Sequence, residues 1–101
     1  MISRGTNPLQ TFQLPFDCSF IEEAEIVYAQ KDKIIFTKTE QDISYEGNVI
    51  YFKLTQEETF LFEEKYPVQI ETRIKLKNSN DIMKLPTARI SVGGCLSDEV
   101  L

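Results

Sequence analysis

From Val68 to Lys77 the chain alternates without a break. Val68, Ile70, Thr72, Ile74 and Leu76 fall on one side of an extended chain. Gln69, Glu71, Arg73, Lys75 and Lys77 fall on the other. A helix would spread these residues around its whole circumference. Only a strand with one dry face and one wet face keeps them sorted. A strand of this kind needs a second layer to cover its dry face, and the rest of the chain has to supply it.

The supply is read in order. Leu9 to Leu14 is a short extended run stopped by Pro15, which has no donor for a ladder and belongs at an edge or an end. In Ala24 to Gln30, Ala24, Ile26 and Tyr28 alternate with Glu25 and Val27, so a strand is expected there although the preceding glutamates favour helix. A turn at Lys31-Asp32-Lys33 joins it to the β-branched and aromatic run Lys33 to Thr39. Gln41 to Tyr45 is a further short strand. Glu46-Gly47-Asn48 is a turn in which Gly47 is free to take a positive φ. Val49 to Leu54 follows, with Ile50, Phe52 and Leu54 on one face and Val49, Tyr51 and Lys53 on the other.

Thr55-Gln56-Glu57-Glu58 has the spacing of a capping box: the Thr55 hydroxyl caps the first turn and Glu58 reaches back to the Thr55 amide. A one-turn helix is therefore expected near Thr55–Thr59, with Phe60, Leu61 and Phe62 plugging the end of the core. Tyr66 stands two residues before Val68 on the same face. In immunoglobulin-like sandwiches a tyrosine entering the long strand bonds backbone upstream and forms a corner. Asn78-Ser79-Asn80-Asp81 is a turn. Ile82 to Leu85 and Thr87 to Val92 form the last strand, interrupted at Pro86. The fold class is all-β, an immunoglobulin-like antiparallel β-sandwich of about seven short strands. Its expected divisions are a flexible N-terminal arm over 1–8, the sandwich over 9–94 and a tail over 95–101.

A chain of 101 residues suits one domain, and 42% hydrophobic with 27% charged residues is an ordinary globular composition. The net charge of −5 argues against binding through nucleic-acid phosphates. No apolar run approaches the roughly 20 residues that cross a bilayer, and the start lacks the apolar centre of a signal peptide, so synthesis and folding in the cytoplasm are expected. In that compartment Cys18 and Cys95 read as thiols rather than as a disulfide.

The chain has no histidine, which removes the commonest general base and metal ligand. Two cysteines do not make a zinc site, and no phosphate-cradling glycine motif is present. The acidic pairs Glu22-Glu23, Glu57-Glu58, Glu63-Glu64 and Asp98-Glu99 lack calcium-loop spacing and read as solvated loop ends. No enzyme activity, cofactor or metal is expected. The strands do leave apolar groups on nominally wet faces: Val27, Ile35, Val49 and Tyr51. Scattered, these are ordinary. Clustered on one sheet, they make a pairing surface for a neighbour.

The order of features resembles a family. Arg4-Gly5-Thr6-Asn7-Pro8 is followed by the extended run Thr11-Phe12-Gln13-Leu14. A hairpin at Lys31-Asp32-Lys33 leads to a strand ending in Leu54-Thr55-Gln56-Glu57-Glu58. A tyrosine-led strand and Ile90-Ser91-Val92 complete the set. This is similar to small β-sandwich proteins of phages and prophages of Gram-positive bacteria, in particular the N-terminal domain of phage baseplate upper proteins. The sequence carries none of the shaft or receptor-binding portion of those proteins, so a stand-alone module is expected, and no functional residues carry over.

The resemblance implies a structural module that docks to tail or baseplate proteins, or to copies of itself, through a sheet face, an edge strand and the N-terminal arm, and that reaches the virion. Arg4, Thr6, Val49 and Tyr51 are the candidate contacts, and Gly47, Thr55, Glu58 and Tyr66 the structural positions. The alternative is a free-standing sandwich that recognises carbohydrate or a host protein through its loops.

Overall fold

The structure is a computed structural model that describes residues 1–79, 81–97 and 99–101. Asn80 of the expected turn at 78–81 and Asp98 of the last acidic pair lie outside the described residues. The strands are β1 (Ile2–Ser3), β2 (Leu9–Gln13), β3 (Ile21–Gln30), β4 (Lys33–Lys38), β5 (Ser44–Glu46), β6 (Val49–Lys53), β7 (Val68–Leu76), β8 (Ile82–Lys84), β9 (Ala88–Ile90) and β10 (Val92–Gly93). A single-turn 3-10 segment spans Cys18–Phe20, and one short helix, α1, spans Gln56–Phe60.

The chain is an all-β antiparallel sandwich. One sheet has the order β2-β6-β5. The other runs β4-β3-β7, with β8 and β9 sharing the far side of β7. The smallest dimension of the molecule is 19 Å, the thickness of two sheets with their outward side chains. The layout is that of an immunoglobulin-like sandwich, with a strand order of its own. Here β3 and β4 form a hairpin within one sheet, whereas an immunoglobulin domain sends the second and third strands to opposite sheets.

β7 is the centre of the larger sheet, and its alternation is obeyed: Val68, Ile70, Thr72 and Ile74 are buried. They pack with Ala24, Ile26 and Tyr28 of β3 and with Ile50, Phe52 and Leu54 from the facing sheet. The Tyr28 ring lies at the centre, 4.8 Å from Phe36, 6.2 Å from Phe62 and 6.3 Å from Phe52. Phe62 is buried as the plug expected from the sequence, while Leu61 points to solvent.

The capping box forms in full. Thr55 Oγ1 accepts from Glu58 N at 3.1 Å and Thr55 N donates to Glu58 Oε1 at 2.8 Å. Glu58 also forms an ion pair with Lys38 Nζ, which fastens the helix to β4. Gly47 opens the β5–β6 hairpin at φ 58°, as a two-residue turn with glycine at its first central position requires.

Three sequence expectations are corrected. The N-terminal arm is not a loose end: Ile2 is only 2% exposed and joins the core, and Ile2–Ser3 pair in parallel with Val92–Gly93. A two-residue strand has no period to read, so the sequence could not announce it. Ile35 does not face solvent. A bulge lets Phe36 pair with Tyr28 while Ile34 pairs with Ala29, which turns Ile35 towards the core and leaves Ile34 66% exposed. Tyr66 does not form a corner. It is half-buried, with Lys31 Nζ 4.1 Å above its ring, and it contributes its backbone carbonyl, which accepts from Gln30 Nε2 at 2.9 Å.

Candidate functional site

The outer face of β2-β6-β5 follows from strand parity. In β6, Ile50 and Phe52 turn inward, so Val49, Tyr51 and Lys53 must turn outward. In β2, Phe12 packs against the core, so Leu9, Thr11 and Gln13 turn outward. In β5, Tyr45 turns inward between Ser44 and Glu46.

The register then sets the neighbours. Leu9 lies opposite Lys53. Thr11, Tyr51 and Ser44 form the next row, and Gln13, Val49 and Glu46 the third. Tyr51 and Val49 are therefore neighbours along β6, and Leu9 lies diagonal to Tyr51 on β2, so the three make one apolar strip on the face. With Thr11 and Glu46 they line a shallow depression. Leu9 is 56% exposed, a large apolar side chain with no cover.

The larger sheet presents a different outer face. Arg73 Nη2 lies 2.7 Å from Glu25 Oε1, Lys84 Nζ 3.4 Å from Glu71 and Lys75 Nζ 3.5 Å from Glu22. The hydrogen bonds that Arg73 donates to Glu25, and then the Glu25 charge, raise the pKa of the guanidinium above its ordinary value. Paired charges of this kind hold their water and add little on association. Val27 and Ile34 stand in this face, so the four apolar positions expected on wet faces are divided: Val49 and Tyr51 on one sheet, Val27 on the other, Ile35 inside.

Arg4 and Thr6 are not part of the depression. They lie against α1. The Arg4 guanidinium sits 5.5 Å from the Phe60 ring centre, and its Nη2 donates to Phe60 O at 3.2 Å. Thr6 is exposed, and its hydroxyl donates to Ser3 O at 2.6 Å. The structure thus brings Val49 and Tyr51 together and keeps Arg4 and Thr6 apart from them. It adds Leu9, which sequence reasoning missed. The signal was there: Phe12 and Leu14 share a face, so Leu9 belongs to the opposite one.

Both thiols are free. Cys18 is buried beside Val49 O at 3.6 Å, and burial, with the Asp17 charge, pushes its pKa up. Cys95 is exposed. Among the described residues no group of three or more Cys, Asp or Glu side chains is placed to hold a metal ion, and no helix is long and apolar enough to cross a membrane. Compared with known protein families, curated proteins and solved structures, the chain finds no match.

Proposed function

We propose that this chain is a non-enzymatic assembly module that docks onto other protein subunits through the outer face of β2-β6-β5. One observation carries the reading: Leu9, Tyr51 and Val49 adjoin as one apolar strip on a face whose other positions are polar, whereas on the larger sheet's outer face the apolar Val27 and Ile34 stand among ion-paired charges. Among the described residues β2 and β5 border this sheet with β6 as their one strand partner, so a neighbouring subunit has both a face and edges to use. With the resemblance of the segments at Arg4–Pro8 and Leu54–Glu58 to baseplate sandwich domains, the expected partners are tail or baseplate proteins of a phage or prophage, or further copies of this chain.

Light scattering coupled to size exclusion over a range of concentrations tests the reading. A defined oligomer, or a stable complex with purified tail or baseplate subunits, is expected to be lost in Tyr51→Glu and Val49→Glu while the melting temperature stays. A chain that remains monomeric, and that binds no such subunit with or without these substitutions, overturns it. Glycan binding that survives Tyr51→Glu would favour recognition through the loops instead.

A further inference from the structure

Residues 1–6 lie in a groove that they do not help to build. The groove is made by β10, by α1 and by an opening into the core. β1 has one strand partner, β10, and β10 has one, β1; the pair joins neither large sheet. Ile2 enters the core, and its amide donates to Ser91 O at 2.9 Å. Arg4 N donates to Gly93 O at 2.9 Å. Thr59, fully buried in α1, closes the other side. Its hydroxyl accepts from Gly5 N at 3.0 Å and donates to Thr6 O at 2.9 Å.

Most of these contacts go to main-chain atoms, so they recognise the path of a short strand and the turn after it more than its side chains. Side chains add selectivity, Arg4 through its contacts with Phe60 and positions 2 and 5 by shape. Position 2 must be apolar to fill the core opening. Position 5 must be glycine: its φ is 77°, and a Cβ there would stand 2.8 Å from the Phe60 ring. The segment ends in exposed Thr6 and Asn7, and Pro8 then holds the chain extended into β2. A short segment, extended at Ile2–Ser3 and turning at Arg4–Gly5, docked by the Ile2 and Arg4 side chains and a few backbone bonds and joined through an exposed linker, has the form of an exchangeable arm.

We propose that the groove between β10 and α1 is a strand-accepting site whose occupant, in an assembly, is residues 1–6 of a second copy of this chain. The same contacts are made whether the arm comes from its own chain or from a neighbour, so exchange costs no interaction. Reciprocal exchange closes a dimer, and exchange in one direction closes a ring where the rotation per subunit allows it and otherwise builds an open chain. This inference is independent of the sheet-face reading, because it uses neither Tyr51 nor Val49.

Cross-linking tests it on the full chain. Ser3 and Gly93 are ladder partners, and a Cβ on Gly93 would stand 3.3 Å from Ser3 Oγ and 2.7 Å from Met1 Sδ, the far end of a flexible, exposed side chain that can turn aside. The two chains, Ser3→Cys and Gly93→Cys, each also Cys95→Ser, are mixed, warmed and oxidised. A Ser3→Cys/Gly93→Cys double variant reports the arm in its own groove. The expected result is a disulfide heterodimer that grows with concentration and is suppressed by a free peptide of residues 1–7, but not by the same peptide with Gly5→Ala. An internal cross-link in the double variant, with no heterodimer at any concentration, overturns the proposal. So does a heterodimer to which both peptides are indifferent. If Gly93→Cys fails to fold, Val92→Cys with Ile2→Cys reports the same pairing.

Discussion

The side-chain amide of Gln30 pairs with the main chain of Glu63 as one strand pairs with another. Gln30 Nε2 donates to Glu63 O at 2.9 Å, and Gln30 Oε1 accepts from Glu63 N at 2.9 Å. The second Nε2 hydrogen goes to Tyr66 O, also at 2.9 Å. Gln30 is 3% exposed, so it holds the connection between α1 and β7 from inside the fold. Gln30→Ala removes all three bonds and leaves backbone groups without partners. It is expected to cost about 3 kcal/mol, because each stranded buried group carries its own desolvation penalty. Gln30→Glu is expected to cost at least as much, since a carboxylate has no hydrogen for the two carbonyls. Urea titration checks both, and a loss under about 0.5 kcal/mol would refute the clamp.

Glu58 serves two partners, Thr55 N and Lys38 Nζ, and the ion pair is largely covered, with side chains 11% and 21% exposed. Glu58→Ala opens the capping box and strands a nearly buried ammonium. A loss of about 2–3 kcal/mol is expected. In the Lys38→Met background the same substitution is expected to cost only about 1 kcal/mol, the worth of the cap alone. Thermal melts of the four chains give the coupling directly, and additivity would show that the ion pair contributes nothing.

The β3–β4 hairpin turns on Lys31 and Asp32, with φ of 52° and 61°. A two-residue turn with both centres at positive φ prefers Asn-Gly; a lysine there is strained, and an aspartate carries a smaller cost than other side chains but more than glycine. Asp32 is partly compensated, because its amide donates to Gln69 Oε1 at 3.1 Å, a bond that glycine keeps. Asp32→Gly is expected to raise stability by about 0.5–1 kcal/mol, which is several degrees in melting temperature for a domain of this size. A fall would mean that the Gln69–Asp32 side-chain contact outweighs the strain.

Two tyrosines set the alkaline limit. Burial, with the nearby Glu58 charge, pushes Tyr28 far above the ordinary tyrosine range. Burial, and then the hydrogen bond to Glu40, does the same for Tyr45. A raised folded-state pKa means that the fold binds the proton more tightly. That stability is complete below the unfolded value of about 10 and is lost as pH rises above it. Phenolate absorbance from these residues is expected to appear together with the loss of circular dichroism. The step that coincides with unfolding is expected to vanish in Tyr28→Phe/Tyr45→Phe. On the acid side Asp42 works in the opposite sense: the Thr39 amide holds it below the usual carboxylate range, so its contribution is present above about pH 4 and fades as pH falls.

Tyr66→Phe is expected to leave stability unchanged within about 0.5 kcal/mol, because the ring and the carbonyl, not the hydroxyl, make its contacts. A loss of about 1 kcal/mol would restore the corner reading.

Long periodic segments were legible in the sequence. Val68–Leu76 could be assigned because nine residues repeat one alternation, and the helix because Thr55 and Glu58 carry a spacing with one physical use. The β4 faces were not legible, since one bulge residue reverses every inference after it. Ile2 was not, because two residues have no period. Gln30 was not, because a polar residue at the end of a strand signals solvent unless the loop it meets is known. Of the candidate contacts, Val49 and Tyr51 share the outward face that parity reads for them, whereas Arg4 and Thr6 lie with their arm against α1, a placement that no period in the sequence announces.

The last strand is broken at Pro86. Between the Ile74–Met83 and Ile70–Ala88 pairs it uses five steps against four on β7. That outer border of the larger sheet is therefore offset halfway along and lacks an amide where the proline stands. A neighbouring chain cannot copy it as a continuous template, so this flank resists the lateral growth that leads to fibres. The smaller sheet has no such interruption in β2, so the edges of the molecule are unequal: the β8–β9 border is closed to strand addition where the β2 border is open to it.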